Sequence, residues 1–377
     1  LIPLPLSTTI NFLKNDTSSG LPYLNKKKDV KEMILSDFNE LLARKDPCVM
    51  FTRTQEDKKT RTVWGYPAVD TLFEMAYYRP LLNYQKKLNW RCGLSGPSSV
   101  DRRVTELLRR SEPSKVSIDF SAFDASVKTT LQKASFNYIK SKFQLSCEDD
   151  LNYIATRFNS IGLITPDGIM DSPHGVPSGS TFTNEVDSIA QYLCAINIGI
   201  DSANFDIQGD DGIYSVDEPD KLFSGFKEFG LKVNDEKSYV SNNCFIYLQN
   251  LHHVDYVSNG MFSGIYPTYR ALNRIIFPER FNELSEDGIG GADFFVIRTI
   301  SILENCRHHP LFAELVRYVY SLDKYGLDFS VDGIGKYIQR LTDSSATEEF
   351  LQFHYGDNLK GINSFETVKL LKELRAR

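Results

Sequence analysis

An acidic turn between two short apolar runs is the feature that most constrains this chain. Residues 205–208 and 212–216 are strand-like and enclose Gly209-Asp210-Asp211, a pattern that predicts a β-hairpin. The glycines on either side allow a tight turn that projects Asp210 beyond the strand edge. The tetrapeptide alone also fits an ordinary surface turn, because Gly and Asp are common turn residues.

Two further carboxylates lie at or just past the end of another strand-like run, residues 116–120, far upstream. Asp119 and Asp124 stand at its end, where an unpaired charge beside a core is costly unless a cation compensates it. Two-metal phosphoryl transfer needs carboxylates that converge from separate strands and hold two ions about 4 Å apart. We therefore predict that Asp119 and Asp210 bind divalent ions, with Asp211 assisting.

Three other elements carry groups suited to phosphate or sugar. A glycine-rich loop at 175–179 leads into a predicted helix and can present N–H groups and hydroxyls. Residues 53–61 include four cations that could neutralise a triphosphate, and Lys232 or Lys237 could protonate a pyrophosphate leaving group. An N-capped helix, a solvated basic loop and exposed lysines are the plainer alternatives.

Charge is unevenly distributed along the chain, although the net charge is only −6. Residues 26–115 carry a balance of +7, and residues 116–260 carry −11. This fits a phosphate-binding surface that faces a metal centre, and it equally fits two solvated faces. With 377 residues, 41% of them apolar, the chain should form two or three subdomains, and disordered or fibrous classes are excluded.

The sequence predicts neither a membrane segment nor a signal peptide. The most apolar stretch, residues 189–200, is interrupted by polar residues. The six cysteines are scattered and form no C-x-x-C pair, which suits a reducing compartment and argues against a zinc site.

The elements predicted in the centre of the chain alternate in an order typical of one fold. Strands are expected at 116–120 and 245–248, and helices at 130–143, 147–159, 183–196 and 221–229, in addition to the hairpin. This order is typical of a split βαβ sheet with helices on one face, an α+β fold. Residues from 281 onward are predicted to be mostly helical.

The order of these elements resembles the palm of a viral RNA-dependent RNA polymerase. Asp119 and Asp124 resemble motif A of that family, residues 178–187 resemble motif B, and residues 209–211 resemble motif C. Lys237 is our choice for motif D. Residues 245–248, 59–61 and 17–22 then resemble motif E, the end of motif F and motif G, respectively.

The amino-acid sequence of motif B indicates which viral polymerases the chain resembles most in this segment. Gly-Val-Pro-Ser-Gly-Ser-x-Phe-Thr, at 175–183, is followed by Val-Asp-Ser, at 186–188. This wording is similar to that of polymerases from picobirnaviruses and partitiviruses, which are small double-stranded RNA viruses.

The resemblance implies a right-hand polymerase with fingers at 1–114, a palm at 115–262 and a helical thumb at 263–377. Some fingers sequence would be inserted around 140–172. The implied reaction is RNA-templated RNA synthesis from NTPs with two Mg²⁺ or Mn²⁺ ions, for replication and transcription of a viral RNA genome. Template RNA, nascent RNA and viral capsid protein would be partners, in the virion interior and the host cytoplasm.

The resemblance also assigns roles to individual residues. The implied catalytic and metal-binding residues are Asp119, Asp210 and Asp211, with Lys237 as general acid. The implied nucleotide-binding residues are Arg53, Lys59, Arg61, Asp124, Ser178, Gly179, Thr183 and Asp187. The implied template-binding residues are Ser18, Ser19 and Gly20.

The sequence departs from the family pattern in two places. Motif B commonly carries Asn four residues after its Thr, to read the ribose 2′-hydroxyl, whereas this chain has Asp187 there. Either one carboxyl of the Asp124–Asp187 pair is protonated, or the hydroxyl donates to an ionised Asp187. Only 16 residues precede motif G, so we expect the N-terminal part of the fingers to be missing.

Two alternatives of other classes remain. A reverse transcriptase shares the palm and the metals, but it usually has an aromatic residue before x-Asp-Asp and a bulky group that excludes the 2′-hydroxyl. Here the turn begins with Gln208, and Asp124 is present. A non-catalytic RNA-binding protein on a decayed palm should have lost acidic ligands, and none of those expected is missing.

Overall fold

The protein is described by a computed structural model that covers residues 1–54, 60–278, 291–336 and 361–376. The chain divides into two compact units. Unit 1 comprises residues 1–94 and 109–242, and unit 2 comprises residues 95–108 and 243–377. Every predicted catalytic or binding residue within the described ranges lies in unit 1.

The elements of the chain up to residue 241 alternate between helices and short strands. In order they are α1 (Leu6–Thr9), α2 (Lys31–Ser36), α3 (Phe38–Arg44), β1 (Cys48–Thr54), β2 (Thr60–Gly65), α4 (Ala68–Gln85), α5 (Pro97–Leu108), β3 (Ser114–Ile118), α6 (Phe123–Ser126), α7 (Thr129–Lys140), α8 (Glu148–Ser160), β4 (Leu163–Thr165), β5 (Gly168–Met170), α9 (Thr183–Ile198), β6 (Phe205–Gln208), β7 (Asp211–Val216), α10 (Pro219–Glu228) and β8 (Tyr239–Ser241). The predicted strands and helices of this region are confirmed, with ends that differ by a few residues.

The central sheet of unit 1 has the strand order β6-β7-β3-β8, and all of its pairs are antiparallel. Val116 and Tyr214 of this sheet lie in one hydrophobic core with Phe136 of α7, Ile189 of α9 and Phe226 of α10. Burial of these aromatic and branched side chains fixes the helices against the sheet. The prediction of a mixed fold around an antiparallel sheet is confirmed.

Two local details differ from the predictions. Arg53 and Arg61 of the predicted basic loop lie in paired strands, directly opposite each other on β1 and β2, and residues 55–59 of that loop lie outside the described residues. Strand β7 begins at Asp211 and not at Gly212, because Asp211 pairs with Gln208 across the hairpin. The turn itself is therefore only Gly209 and Asp210.

Unit 2 combines α5 with everything after residue 242. Its later elements are β9 (Cys244–Tyr247), β10 (Asn250–His253), β11 (Val257–Ser258), β12 (Met261–Phe262), α11 (Thr268–Ile276), α12 (Gly291–Glu304), α13 (Phe312–Leu322) and α14 (Glu366–Arg375). Val296, Leu315 and Leu371, from three of the helices, share one buried core. The described part of the chain after residue 281 is mostly helical, as predicted.

Candidate active site

Strand register brings the three predicted metal ligands to one edge of the central sheet. Ile118, the last residue of β3, is opposite Gly212 of β7, so Asp119 follows at the edge where β7 begins. Asp211 is the first residue of β7, and Asp210 is in the turn beside it. Burial, followed by repulsion from Asp210 and then Asp119, raises the pKa of Asp211 to about 7. The charges of Asp210 and Asp119 therefore both act on Asp211, although Asp119 is remote from the others in sequence.

The segment that carries Lys237 is fastened to Asp119 through the backbone. The N–H of Asp119 donates to Ser238 Oγ (3.1 Å), and its carbonyl accepts from the N–H of Asn234 (2.8 Å). Lys237 precedes Ser238 and has an exposed side chain. Asp119 is thus held rigidly, and Lys237 lies in the segment beside it.

Asp124 and Asp187 meet, as predicted for the two ribose-sensing positions. Their carboxyl groups are hydrogen-bonded to each other. Asp187 is buried, and this burial together with repulsion from Asp124 and Asp210 raises its pKa well above the usual value. Two ionised carboxylates this close would repel each other, so the contact favours protonation of one of them. Asp187 Oδ1 is buried and has no hydrogen-bond partner among the described residues.

The glycine-rich loop packs closely on β2. Ser178 Oγ lies 3.3 Å from the carbonyl oxygen of Thr62, to which it donates. A Cβ on Gly179 would lie 1.7 Å from the carbonyl oxygen of Trp64, so only glycine allows this approach. The Thr183 hydroxyl contacts the carbonyls of Pro177 (2.8 Å) and Ser180 (2.9 Å) and so stabilises the loop itself.

A buried carboxyl group on α4 anchors the same loop. Both carboxyl oxygens of Glu74 lie within 2.9 Å of Ser180 Oγ, and Oε2 accepts from the N–H of Thr181 at 2.7 Å. Burial raises the pKa of Glu74 to about 8, against the hydrogen bonds from Thr181 and Ser180. No sequence motif indicated Glu74, because a single acid in a helix has no pattern.

The basic hairpin lies near the acidic centre. Arg53 and Arg61 are directly opposite on β1 and β2 and both are exposed. Loss of water and repulsion from Asp210 raise the pKa of Asp124, whereas Arg61 is near enough to lower it. Arg61 is therefore a cation within electrostatic reach of the acidic centre. Lys59 lies outside the described residues.

The three residues predicted to contact the template are unequally accessible. Ser19 and Gly20 are buried, and Ser19 pairs through its backbone with Asn25 and Ala68. Ser18 is half-buried, and its hydroxyl accepts from the N–H of Gly20 at 3.2 Å. Of the two serine side chains, that of Ser18 is the one open to a ligand.

The carboxylates of the acidic centre suit a divalent cation whose coordination is completed by oxygen atoms of the substrate. Within the described ranges, no three His, Cys, Asp or Glu side chains form a ready-made metal cage. Mg²⁺ is typically held by one or two carboxylates together with substrate phosphates and water. The carboxylates that raise the pKa of Asp211 are oxygen donors of this kind.

In the part of the chain that the structure covers, no helix has the length and apolar character needed to span a membrane.

Comparison with known proteins identifies the family. The sequence profile of the family described as "Viral RNA-dependent RNA polymerase" matches residues 5–270. The chain is 28% identical to a "Potential RNA-dependent RNA polymerase" of human picobirnavirus (strain Human/Thailand/Hy005102), over 97% of this chain and 76% of that protein. It is 26% identical to the "RNA-directed RNA polymerase" of Cryptosporidium parvum virus 1 (strain KSU-1), over 62% of this chain and 51% of that protein.

Solved structures agree with the sequence comparison. The crystal structure of a human picobirnavirus RNA-dependent RNA polymerase matches with a TM-score of 0.82 and 26% identity, over 100% of this chain and 76% of that one. An insertion-loop deletion mutant of the human picobirnavirus enzyme matches with a TM-score of 0.79. The right-hand polymerase fold is thereby confirmed. The chain belongs to the viral RNA-dependent RNA polymerases, the nucleotidyltransferases that synthesise RNA on an RNA template.

Proposed function

We propose that the acidic edge of the central sheet is the active centre for RNA synthesis, with Asp119 and Asp210 as the main metal ligands and Asp211 assisting. Polymerases of this family generally use divalent metal ions, and we assign two Mg²⁺ or Mn²⁺ ions to this centre. The observation that carries the proposal is the β3–β7 register, which places Asp119 beside Asp211 and the turn. Bound ions would supply activation of the attacking hydroxyl and neutralisation of the phosphates.

The reaction is transfer of a nucleotide from an NTP to the end of the RNA. The 3′-hydroxyl oxygen of the nascent RNA attacks the α-phosphorus in line and forms a new P–O bond, while the hydroxyl proton passes to water. The bond between the α-phosphorus and the α–β bridging oxygen breaks, and pyrophosphate leaves. Arg53 and Arg61 hold the triphosphate from the paired strands, and Arg can do so through two hydrogen bonds at once. Lys59 is proposed to assist them. Lys237 gives a proton to the departing pyrophosphate.

The Asp124–Asp187 pair is proposed to recognise ribose. Within the described part of the chain, the buried Oδ1 of Asp187 lacks a hydrogen-bond partner, and a ribose 2′-hydroxyl could donate to it. A deoxyribose would leave the pocket's polar atoms unpaired, which is the basis of rejection. Ser178, Gly179 and Thr183 shape the loop beside this pocket.

The remaining assignments follow from the resemblance. We propose fingers at 1–114, a palm at 115–262 with an insertion around 140–172, and a thumb at 263–377. Ser18 would meet the template, while Ser19 and Gly20 shape its turn. NTPs and RNA are the substrates of this family, and we propose capsid protein as a further partner. The proposed sites of action are the virion interior and the host cytoplasm.

Substitution of Asp210 tests the proposed centre. Asp210→Asn removes one negative metal ligand without changing the volume of the side chain. Primer extension on a defined RNA template should be abolished while the circular dichroism spectrum and melting temperature stay unchanged. Asp217→Asn is the matched control, since Asp217 is exposed and follows the opposite end of β7. Near-wild-type extension by Asp210→Asn in Mg²⁺ would refute the assignment.

A further inference from the structure

We propose that Arg91 and three polar residues on one face of α9, Asn184, Ser188 and Gln191, position the turn that carries Asp210. These four residues are called the turn-support network below. The inference rests on the proposed metal-binding role of Asp210. It gives a positioning role to residues to which the sequence motifs assigned none.

The turn is bonded to α9 through its backbone. The N–H of Gly209 donates to Ser188 Oγ at 2.7 Å. One turn further along the helix, Gln191 Nε2 donates to the carbonyl oxygen of Asp210 at 3.3 Å. Gly209 has a φ of +67°, and a Cβ there would lie 2.8 Å from Asn184 Nδ2. Helix α9 therefore holds both residues of the turn, Gly209 and Asp210. The positive φ and the close approach of Asn184 favour glycine at position 209.

Asn184 extends the same contact to the strand that enters the turn. Its Oδ1 accepts from Gln208 Nε2 at 2.8 Å and from Arg91 Nη2 at 3.3 Å. Asn184, Ser188 and Gln191 are spaced four and three residues apart, so they share one face of the helix. That face contacts three successive residues of the hairpin, which end at Asp210.

Arg91 fixes this face of the helix. Its guanidinium is fully buried and pairs with the equally buried Glu185, with Nη2 2.9 Å from Oε1. The other amino group, Nη1, donates to Ser188 Oγ. A guanidinium is planar and carries its donors in a rigid fork. Arg91 therefore sets the orientation of Ser188 and Asn184 at the same time.

The hydroxyl of Ser188 has no free choice of direction. It donates to the carbonyl oxygen of Asn184 at 2.7 Å, and it accepts from Gly209 and Arg91. A hydroxyl has one hydrogen and two lone pairs, so all of its bonding capacity is used. Removal of this oxygen would leave the buried N–H of Gly209 without an acceptor.

The segment around Arg91 is also bonded directly to β6. The N–H of Ile207 donates to the carbonyl of Trp90 at 3.0 Å, and the N–H of Cys92 donates to Asp206 Oδ2 at 3.2 Å. Arg91 is thus held on both sides by the strand that leads into the turn. Metal ligands need support that keeps them within a fraction of an ångström of their productive position.

Ser188→Ala tests the network, and Ser135→Ala is its matched control. Both serines are fully buried in unit 1, but Ser135 bonds to the carbonyls of Leu131 (2.9 Å) and Val186 (3.3 Å) and not to the turn. The Mg²⁺ concentration for half-maximal primer extension should rise by about 10–100-fold in Ser188→Ala, the usual effect of losing a group that orients a metal ligand. Hydrogen–deuterium exchange, read by mass spectrometry on a peptide covering 205–213, should be faster in Ser188→Ala alone.

Arg91→Lys keeps a cation beside Glu185 but replaces the fork with a single ammonium. It should reproduce the rise in Mg²⁺ requirement with the fold retained. The inference is wrong if Ser188→Ala and Arg91→Lys match Ser135→Ala in both Mg²⁺ requirement and exchange. Asp210→Asn separates this failure from failure of the proposed function. If Asp210→Asn is inactive while Ser188→Ala and Arg91→Lys behave like Ser135→Ala, the positioning role is wrong and the proposed function of Asp210 stands.

Discussion

The buried Glu74 should make the stability of unit 1 fall as pH rises. Its pKa changes from 4.5 to about 8 on folding, chiefly through burial. Below pH 4.5 the acid is protonated in both states. Between that pH and about 8 the folded chain keeps a proton that the unfolded chain has lost, so rising pH favours unfolding. Each pH unit in this interval lowers the free energy of unfolding by about 1.4 kcal/mol. The loss is about 5 kcal/mol over the whole interval and about 3 kcal/mol between pH 5.5 and 8.

Glu74→Gln removes this contribution because an amide does not ionise. Both tryptophans, Trp64 and Trp90, are buried and lie in unit 1, so their fluorescence reports on this unit. Urea unfolding followed by tryptophan fluorescence should show that the wild type loses more stability than Glu74→Gln between pH 5.5 and 8. The loss of unfolding free energy in the wild type should exceed that in Glu74→Gln by about 3 kcal/mol.

A matched control isolates the buried carboxyl group. Glu32→Gln replaces an exposed glutamate of α2 and should leave the pH dependence of unfolding as in the wild type. Parallel stability curves for Glu74→Gln and the wild type would refute the reasoning. That result would mean that Glu74 is ionised in the folded chain and stabilised by Ser180 and Thr181 more strongly than burial destabilises it.

Two further predictions concern the nucleotide. Asp124→Ala should lower the preference for NTPs over dNTPs by about 10–100-fold, as expected for about 1–3 kcal/mol from one unpaired polar group. The same substitution should reduce the rate of NTP incorporation at saturating concentration by a smaller factor. Asp187→Asn should be tolerated in competition assays with both sugars, because the amide can still donate to Asp124. Unchanged sugar discrimination in Asp124→Ala would contradict the ribose assignment. Arg61→Ala should raise KM for all four NTPs together, by about 10–100-fold in steady-state kinetics, whereas Arg44→Ala, at an exposed arginine, should not. A base-selective effect would exclude a triphosphate contact.

The sequence determined the local chemistry of the centre. The Gly-Asp-Asp-Gly turn and the strand before Asp119 were predicted because short-range rules of turn and strand formation involve only neighbouring residues. The same holds for the start of α9 at Thr183 and for its spacing to Asp187, since helical periodicity defines which residues share a face. Family resemblance then gave those local elements an order and a reaction.

Tertiary structure decided which residues support that chemistry. Glu74 and Arg91 act on the loop at 175–182 and on the turn, from positions about 100 residues away in the chain, a separation to which no short-range propensity refers. Cross-strand pairing likewise places Arg53 opposite Arg61 at the two ends of the predicted basic loop. The meeting of Asp124 with Asp187 shows the same division. The family resemblance assigned both to the nucleotide, but only packing buried Asp187 beside Asp124, and that burial raises the pKa of Asp187.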